Sequence, residues 1–171
     1  LYIDLSTIAK GYGVDVVADI IEANQINDYL VEIGGEMRVA GKKATGNDWR
    51  IAIEKPITNE RAIQKIISIG DNAIATSGDY RNYFEQDGIR YSHLIEPKTG
   101  YPITHNLVSV TVVHASSMTA DGLATALNVM GADQAKMLAT REDLAVFMVI
   151  KQDQEFIEYA SPAFVRNVKQ D

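Results

Sequence analysis

The chain has 171 residues, no cysteine and a formal net charge of −7 at pH 7, and 46% of its residues are hydrophobic. This length and hydrophobic content suffice to bury a core, so we expect residues 1–171 to form one domain, or a large piece of one. The lack of cysteine excludes thiolate catalysis, disulfides and zinc–thiolate sites, and the acidic balance without a basic patch argues against a nucleic-acid partner.

The start of the chain predicts a helix. Residues 4–7 are typical of a strand end that turns into a helix, with a serine or threonine placed to cap the first amides, and the helix ends near residues 22–24. Its apolar stripe, expected to pack on a sheet, is Ile8, Tyr12, Val16 and Ile20, widened by Val17 and Ile21. Gly11 and Gly13 interrupt this helix, which indicates close approach of backbone or ligand, or tight packing on the sheet.

Several strands are predicted after this helix, the first two of them from alternating apolar and polar residues. They are expected at residues 29–33, 49–54, 63–69, 73–77, 107–113, 145–150 and 156–159. Asp87 and Gly88 favour a tight turn between two further short strands. Later helices are expected at residues 117–130 and 132–140 and from Pro162 onwards. Runs of strands broken by a few helices indicate an α+β fold with a largely antiparallel sheet.

The helix predicted at residues 117–130 carries a carboxylate and a hydroxyl four residues apart. This spacing stacks Asp121 and Thr125 on one helix face. A hard cation such as Mg²⁺ takes oxygen ligands, often only one or two of them from protein side chains. The pair therefore supplies half of a metal site. The alternative is a carboxylate that serves the helix dipole beside an ordinary packed threonine.

Two segments in the middle of the chain combine groups suited to a ligand pocket. Residues 77–83 (SGDYRNY) join a flexible glycine to aromatic rings and a guanidinium, which suits a nucleotide pocket or a packed strand entry. Residues 91–100 (YSHLIEPKTG) place Tyr91, His93 and Ile95 on one face of a strand. A histidine side chain can take a proton from a hydroxyl nucleophile, so His93 is a candidate general base; the alternative is a histidine that is merely hydrogen-bonded packing.

Taken in order, these segments resemble the ApbE family of magnesium-dependent FAD:protein FMN transferases. The resemblance rests on residues 2–15 (YIDLSTIAKGYGVD), 77–83, 91–100 and 118–127 (MTADGLATAL). It covers nearly the whole chain and corresponds to the C-terminal portion of longer family members, whose N-terminal portion is missing here. It implies a T-fold-like arrangement, in which helices pack on one face of a largely antiparallel sheet.

The resemblance also implies roles for individual positions. The matching FAD contacts are Asp4, Lys10 and Ile95. The matching metal ligands are the backbone carbonyl of Thr7 and the side chains of Asp121 and Thr125. The chain departs from the family pattern because Ser6 and Thr7 stand where glycine is common, and Ala124 stands where some members have a carboxylate. Fewer protein charges leave more of the coordination to water or to the nucleotide.

The implied reaction is Mg²⁺-dependent transfer of FMN from FAD to a Thr or Ser hydroxyl of a target flavoprotein. A phosphoester bond forms, AMP leaves, and His93 acts as the general base. The alternatives are an FAD pyrophosphatase, which releases FMN and AMP, and a non-catalytic FAD-binding module. The resemblance also implies a bacterial protein in the periplasm or on the outer face of the cytoplasmic membrane, attached only through an N-terminal lipid anchor that this sequence lacks.

Overall fold

Four helices and eleven strands make up the computed structural model, which describes residues 1, 3–56, 62–78, 83–86, 89–153 and 155–170. In chain order they are α1 (Ser6–Ala23), β1 (Tyr29–Ile33), β2 (Glu36–Ala40), β3 (Ile51–Glu54), β4 (Ile63–Ser68), β5 (Ala73–Gly78), β6 (Tyr83–Gln86), β7 (Ile89–Ser92), β8 (Leu107–His114), α2 (Ser117–Met130), α3 (Ala132–Arg141), β9 (Ala145–Gln152), β10 (Glu155–Ala160), α4 (Pro162–Asn167) and β11 (Lys169–Gln170). None of the helices in these ranges is long and apolar enough to cross a membrane.

The central sheet has six strands in the order β1-β2-β5-β8-β9-β10, and each described pairing is antiparallel. The strands β3, β4 and β11 form a second sheet, and β6 pairs with β7. The first hairpin is tight because Gly34 and Gly35 adopt φ angles of +60° and +103°, which residues with a Cβ rarely adopt. This turn returns the chain at Glu36, the first residue of β2, which pairs with Ile33.

The two faces of the central sheet are covered by different layers. Along β9, Val146 and Met148 pack among buried residues of α2 and α3, whereas Phe147 and Val149 pack with α4 and the second sheet. This alternation follows from the two-residue period of a strand. Helix α1 packs against α2 and the β1–β2 hairpin, so the three longer helices share one face. The predicted α+β class and largely antiparallel sheet are confirmed.

Most of the apolar stripe predicted for α1 is wrong. Tyr12 and Ile20 are each 58% exposed, and Val16 and Val17 are exposed as well. The buried residues of α1 are Gly11, Val14 and Ala18. They follow the same helical spacing but lie on another face. Gly11 lies against α2, where a Cβ would clash, and Val14 and Ala18 pack with Tyr29 and Val31 of β1.

Candidate functional site

The second turn of α1 meets the first turn of α2 at Gly11. A Cβ placed on Gly11 would lie 2.4 Å from the carbonyl oxygen of Ser117 and 2.8 Å from the Cβ of Asp121. Gly11 therefore permits a close approach of backbone, one of the two alternatives that the sequence left open. Gly13 follows the other alternative, since a Cβ there would lie 3.2 Å from Cδ1 of Ile33 in β1.

Asp121 lies in this contact and is only 5% exposed. Its Oδ2 accepts a hydrogen bond of 3.0 Å from the backbone N–H of Gly11. In an α-helix the N–H of residue 11 points toward the carbonyl of residue 7, so the carboxylate of α2 is brought beside the first turn of α1, where Thr7 lies. Burial raises the pKa of Asp121, against the lowering effects of the Gly11 N–H and the Lys10 charge.

Thr125 lies one turn beyond Asp121 on α2 and is partly buried. Its hydroxyl makes no hydrogen bond with another described residue, so it is available to a ligand. Thr7 is exposed in the first turn of α1. The structure thus brings Asp121 to the turn that contains Thr7, with Thr125 one turn farther along α2.

Lys10 extends from α1 to the start of β2, where its Nζ lies 2.6 Å from Oε1 of Glu36. Glu36 is 2% exposed, and its Oε2 is buried without a hydrogen-bond partner in the described part of the chain. Burial raises the pKa of Glu36; the ion pair with Lys10 opposes this effect, and the nearby charge of Asp121 adds to it. The sequence analysis missed Glu36. The signal in the sequence that could have indicated Glu36 was the position of this carboxylate directly after the Gly34–Gly35 turn.

Asp15 of α1 caps α2. Its carboxylate accepts hydrogen bonds from the backbone N–H of Ser117 at 2.9 Å and of Met118 at 3.0 Å, and from the hydroxyl of Ser116 at 2.8 Å. Burial alone would raise the pKa of Asp15, but the two amide bonds, the Ser116 hydroxyl and the charge of Arg38 together outweigh burial and lower it. The cap fixes the start of the helix that carries Asp121.

We expect Asp15→Asn to lower the free energy of unfolding by about 1 kcal/mol at pH 7, because the amide caps α2 without a negative charge. The folded-state pKa of Asp15 is lowered, so its contribution is fully present above the ordinary value of 3.8 and is lost as the pH falls through the folded-state value. Urea unfolding at pH 7 and at low pH measures both effects. Asp19→Asn, which removes only an exposed partner of Arg38, is the control. An equal loss in the two variants would contradict the capping role.

The expectation that a serine or threonine caps α1 is wrong. Helix α1 begins at Ser6 with Leu5 as its N-cap, so both hydroxyls lie inside the first turn and cannot cap it. Asp4 takes this role instead, because its Oδ1 accepts a 2.7 Å hydrogen bond from the Ser6 N–H, which lowers its pKa. The carboxylate is otherwise exposed to solvent at the start of α1.

His93 and Ile95 lie just beyond β7, which ends at Ser92. Both are exposed, whereas Ser92 and Leu94 are buried, so the predicted alternation of side chains holds for these four residues. Ile95 forms an isolated bridge with Pro102. This bridge ties the segment to the loop that follows it.

The predicted pocket segment at residues 77–83 is described only in part. Ser77 and Gly78 end β5, and the hydroxyl of Ser77 accepts a 3.4 Å hydrogen bond from the side chain of Asn128 on α2. Residues 79–82 lie outside the described ranges, as do Asp87 and Gly88 of the predicted hairpin turn. The strands on either side of that turn, β6 and β7, do pair with each other.

Known proteins resemble this chain in both sequence and fold. A sequence model of the ApbE family matches residues 1–148. The FAD:protein FMN transferase of Vibrio cholerae is 59% identical over 164 residues, which are 96% of this chain and 49% of that protein. The one of Haemophilus influenzae is 52% identical over 165 residues, with 96% and 48% covered. A solved structure of flavin transferase ApbE from Vibrio cholerae superposes with a TM-score of 0.88 at 56% identity, covering 98% of this chain and 53% of that one.

These likenesses confirm the predicted ApbE-like fold. The chain spans about half the length of the curated relatives it matches.

Proposed function

This chain belongs to the ApbE family, and on that premise we propose that the full-length protein transfers FMN from FAD to a Thr or Ser hydroxyl of a target flavoprotein. Mg²⁺ is the proposed cofactor and AMP the leaving group. The observation that supports this proposal most is the hydrogen bond from Gly11 to Asp121, which brings a buried carboxylate of α2 to the first turn of α1. The similarity to FAD:protein FMN transferases supports the reaction class.

The proposed ligands fit a hard divalent cation. They are all oxygens: the Asp121 carboxylate, the Thr125 hydroxyl and the backbone carbonyl of Thr7. The Asp121 carboxylate is buried, and within the described residues it accepts only one hydrogen bond, from Gly11. A buried carboxylate with a single hydrogen bond can still bind a cation. When bound, Mg²⁺ would neutralise the charge that develops on the pyrophosphate oxygens during the transfer.

The other residues have separate proposed roles. Lys10, with its side chain 46% exposed, offers a positive charge to the phosphates of FAD. Asp4 and Ile95, both exposed, are the further proposed contacts with FAD. The hydroxyl oxygen of the target attacks the FMN-side phosphorus, the bond from this phosphorus to the bridging oxygen breaks, and AMP leaves with that oxygen. His93 accepts the proton of the attacking hydroxyl as general base.

The test incubates the full-length protein with FAD, Mg²⁺ and an acceptor protein that carries a Thr/Ser acceptor motif, and follows the acceptor by mass spectrometry. We expect a covalent mass gain equal to FMN, together with free AMP. We expect His93→Ala to slow the transfer by about 100-fold or more, because a positioned base contributes that much, while FAD still binds. Release of AMP without an adduct would indicate a pyrophosphatase instead. FAD that is bound but remains intact would indicate a binding module.

The proposed location is the periplasm or the outer face of the cytoplasmic membrane of a bacterium. Its support is the family resemblance alone. Fractionation of cells that express the full-length protein tests it, because recovery of the protein with the cytoplasmic fraction would contradict the proposal.

A further inference from the structure

The proposed function explains only one of the two residues in the ion pair between Lys10 and Glu36. Lys10 has a proposed role at the phosphates, but its partner has none. Glu36 is almost completely buried, and burying a carboxylate costs free energy that a single ion pair often fails to return. Its second oxygen adds to this cost because it has no hydrogen-bond partner in the described part of the chain. The burial of the Glu36 carboxylate therefore needs an explanation other than stability.

The packing around Lys10 indicates what the pair does. An added Cβ on Gly34 would lie only 3.1 Å from Cδ of Lys10, so the lysine stem runs closely past the Gly34–Gly35 turn before it reaches Glu36. Oε1 of Glu36 then fixes the ammonium at 2.6 Å. An unattached lysine would sample many rotamers and lose that freedom on binding a ligand. In this structure the turn and Glu36 fix both the methylene chain and the ammonium of Lys10 before a ligand binds.

We propose that Glu36 is a positioning residue, which holds the Lys10 ammonium where the phosphates of FAD bind. This inference rests on the proposed function. Because Glu36 is buried behind Lys10, it acts through the lysine and does not touch the nucleotide itself. The Lys10 side chain remains about half exposed although it is paired, so a ligand can still reach it from solvent.

The direction of the change in FAD affinity separates positioning from simple electrostatics. Glu36 is negative and near Asp121, so removal of its charge would by itself strengthen the binding of an anionic nucleotide. Loss of positioning acts in the opposite direction, because a mobile lysine has to be ordered on binding. We therefore expect Glu36→Gln to weaken FAD binding about tenfold, the equivalent of one charge-assisted hydrogen bond.

The experiment measures the dissociation constant of FAD for the full-length protein with Mg²⁺ present, from the change in flavin fluorescence. The variants are Glu36→Gln, Lys10→Met and the double variant. Because Glu36 acts through Lys10, the double variant is expected to bind FAD no more weakly than Lys10→Met. Asp19→Asn is the matched control. It removes another ion pair between α1 and β2, that of Asp19 with Arg38 at 2.9 Å, and is expected to leave the dissociation constant unchanged.

Each other outcome overturns the inference in its own way. Unchanged or tighter FAD binding in Glu36→Gln, while Lys10→Met binds weakly, would refute positioning and leave the proposed function intact. Additive losses in the double variant would show that Glu36 acts independently of Lys10. Unchanged binding in Lys10→Met would remove the proposed role of Lys10 and this inference with it. Glu36→Asp keeps the charge but shortens the side chain, so it too should weaken binding, and it serves if Glu36→Gln does not fold.

Discussion

Asp121→Ala is expected to reduce Mg²⁺-dependent FMN transfer by about a thousandfold or more, because a metal ion supplies several kcal/mol of charge stabilisation in phosphoryl-type transfer. Asp121 is the one carboxylate among the three proposed ligands, so its loss removes their only full negative charge. The rate of acceptor flavinylation, measured over a range of Mg²⁺ concentrations, checks this prediction.

The fold should survive this substitution. Burial raises the pKa of Asp121, which means that the folded protein disfavours its charged form and gains little stability from it. The N–H of Gly11 also keeps the Thr7 carbonyl as its regular helical acceptor. Asp133→Ala is the control, since it removes an exposed aspartate from the first turn of α3. Mg²⁺-dependent transfer retained in Asp121→Ala at the rate of this control would refute the metal assignment.

Gly11→Ala is expected to lower the free energy of unfolding by about 2 kcal/mol or more and to abolish the transfer. Alanine in place of glycine normally stabilises a helix interior by about 1 kcal/mol. Here the new Cβ would lie 2.4 Å from the Ser117 carbonyl oxygen, a backbone atom that cannot rotate away. Helices α1 and α2 would have to move apart, and Asp121 would leave the first turn of α1. Urea unfolding and the flavinylation assay measure the two effects.

Gly13→Ala is the matched control for this prediction, because it makes the same chemical change two residues along the same helix. Its Cβ would meet only Cδ1 of Ile33 at 3.2 Å, the end of a flexible side chain that can shift by a few tenths of an ångström. We expect stability unchanged or slightly increased and transfer retained. Equal losses in both variants would show that α1 tolerates no alanine in this region, and that the contact with α2 has no special importance.

The strands were predictable from two signals: β1 and β3 follow a two-residue alternation of buried positions, and β9 is a run of apolar residues. The segment from Tyr29 to Ile33 matches β1 at both ends. Strand β2 was missed because its buried positions, Glu36 and Val39, are three residues apart and so depart from a two-residue alternation, and one of them is a carboxylate. This carboxylate is also the partner of Lys10.

The error on α1 has a different cause. Helical periodicity shows that a helix is amphipathic, but it does not show which face meets another helix. Hydrophobicity favoured the large side chains of Tyr12 and Ile20, whereas the buried face has Gly11 against α2 and smaller side chains against β1. Long-range contacts such as Asp15 with the start of α2, over 100 residues apart in sequence, leave no local signal at all.

The spacing of Asp121 and Thr125 was visible in sequence, and the family resemblance linked both residues to Thr7. The structure adds the hydrogen bond that joins the two segments, 110 residues apart, at Gly11. No periodicity could have indicated this bond, because it depends on how α1 and α2 cross.

The most direct test of the account is the position of a divalent cation in the full-length protein. Crystals grown with FAD and soaked in Mn²⁺, which replaces Mg²⁺ and scatters anomalously, would give that position without relying on activity. The account predicts an anomalous peak within coordination distance of the Asp121 carboxylate, the Thr125 hydroxyl and the Thr7 carbonyl, next to the pyrophosphate of FAD. A cation bound elsewhere, with Asp121 still bonded only to Gly11 while FAD is in place, would contradict it.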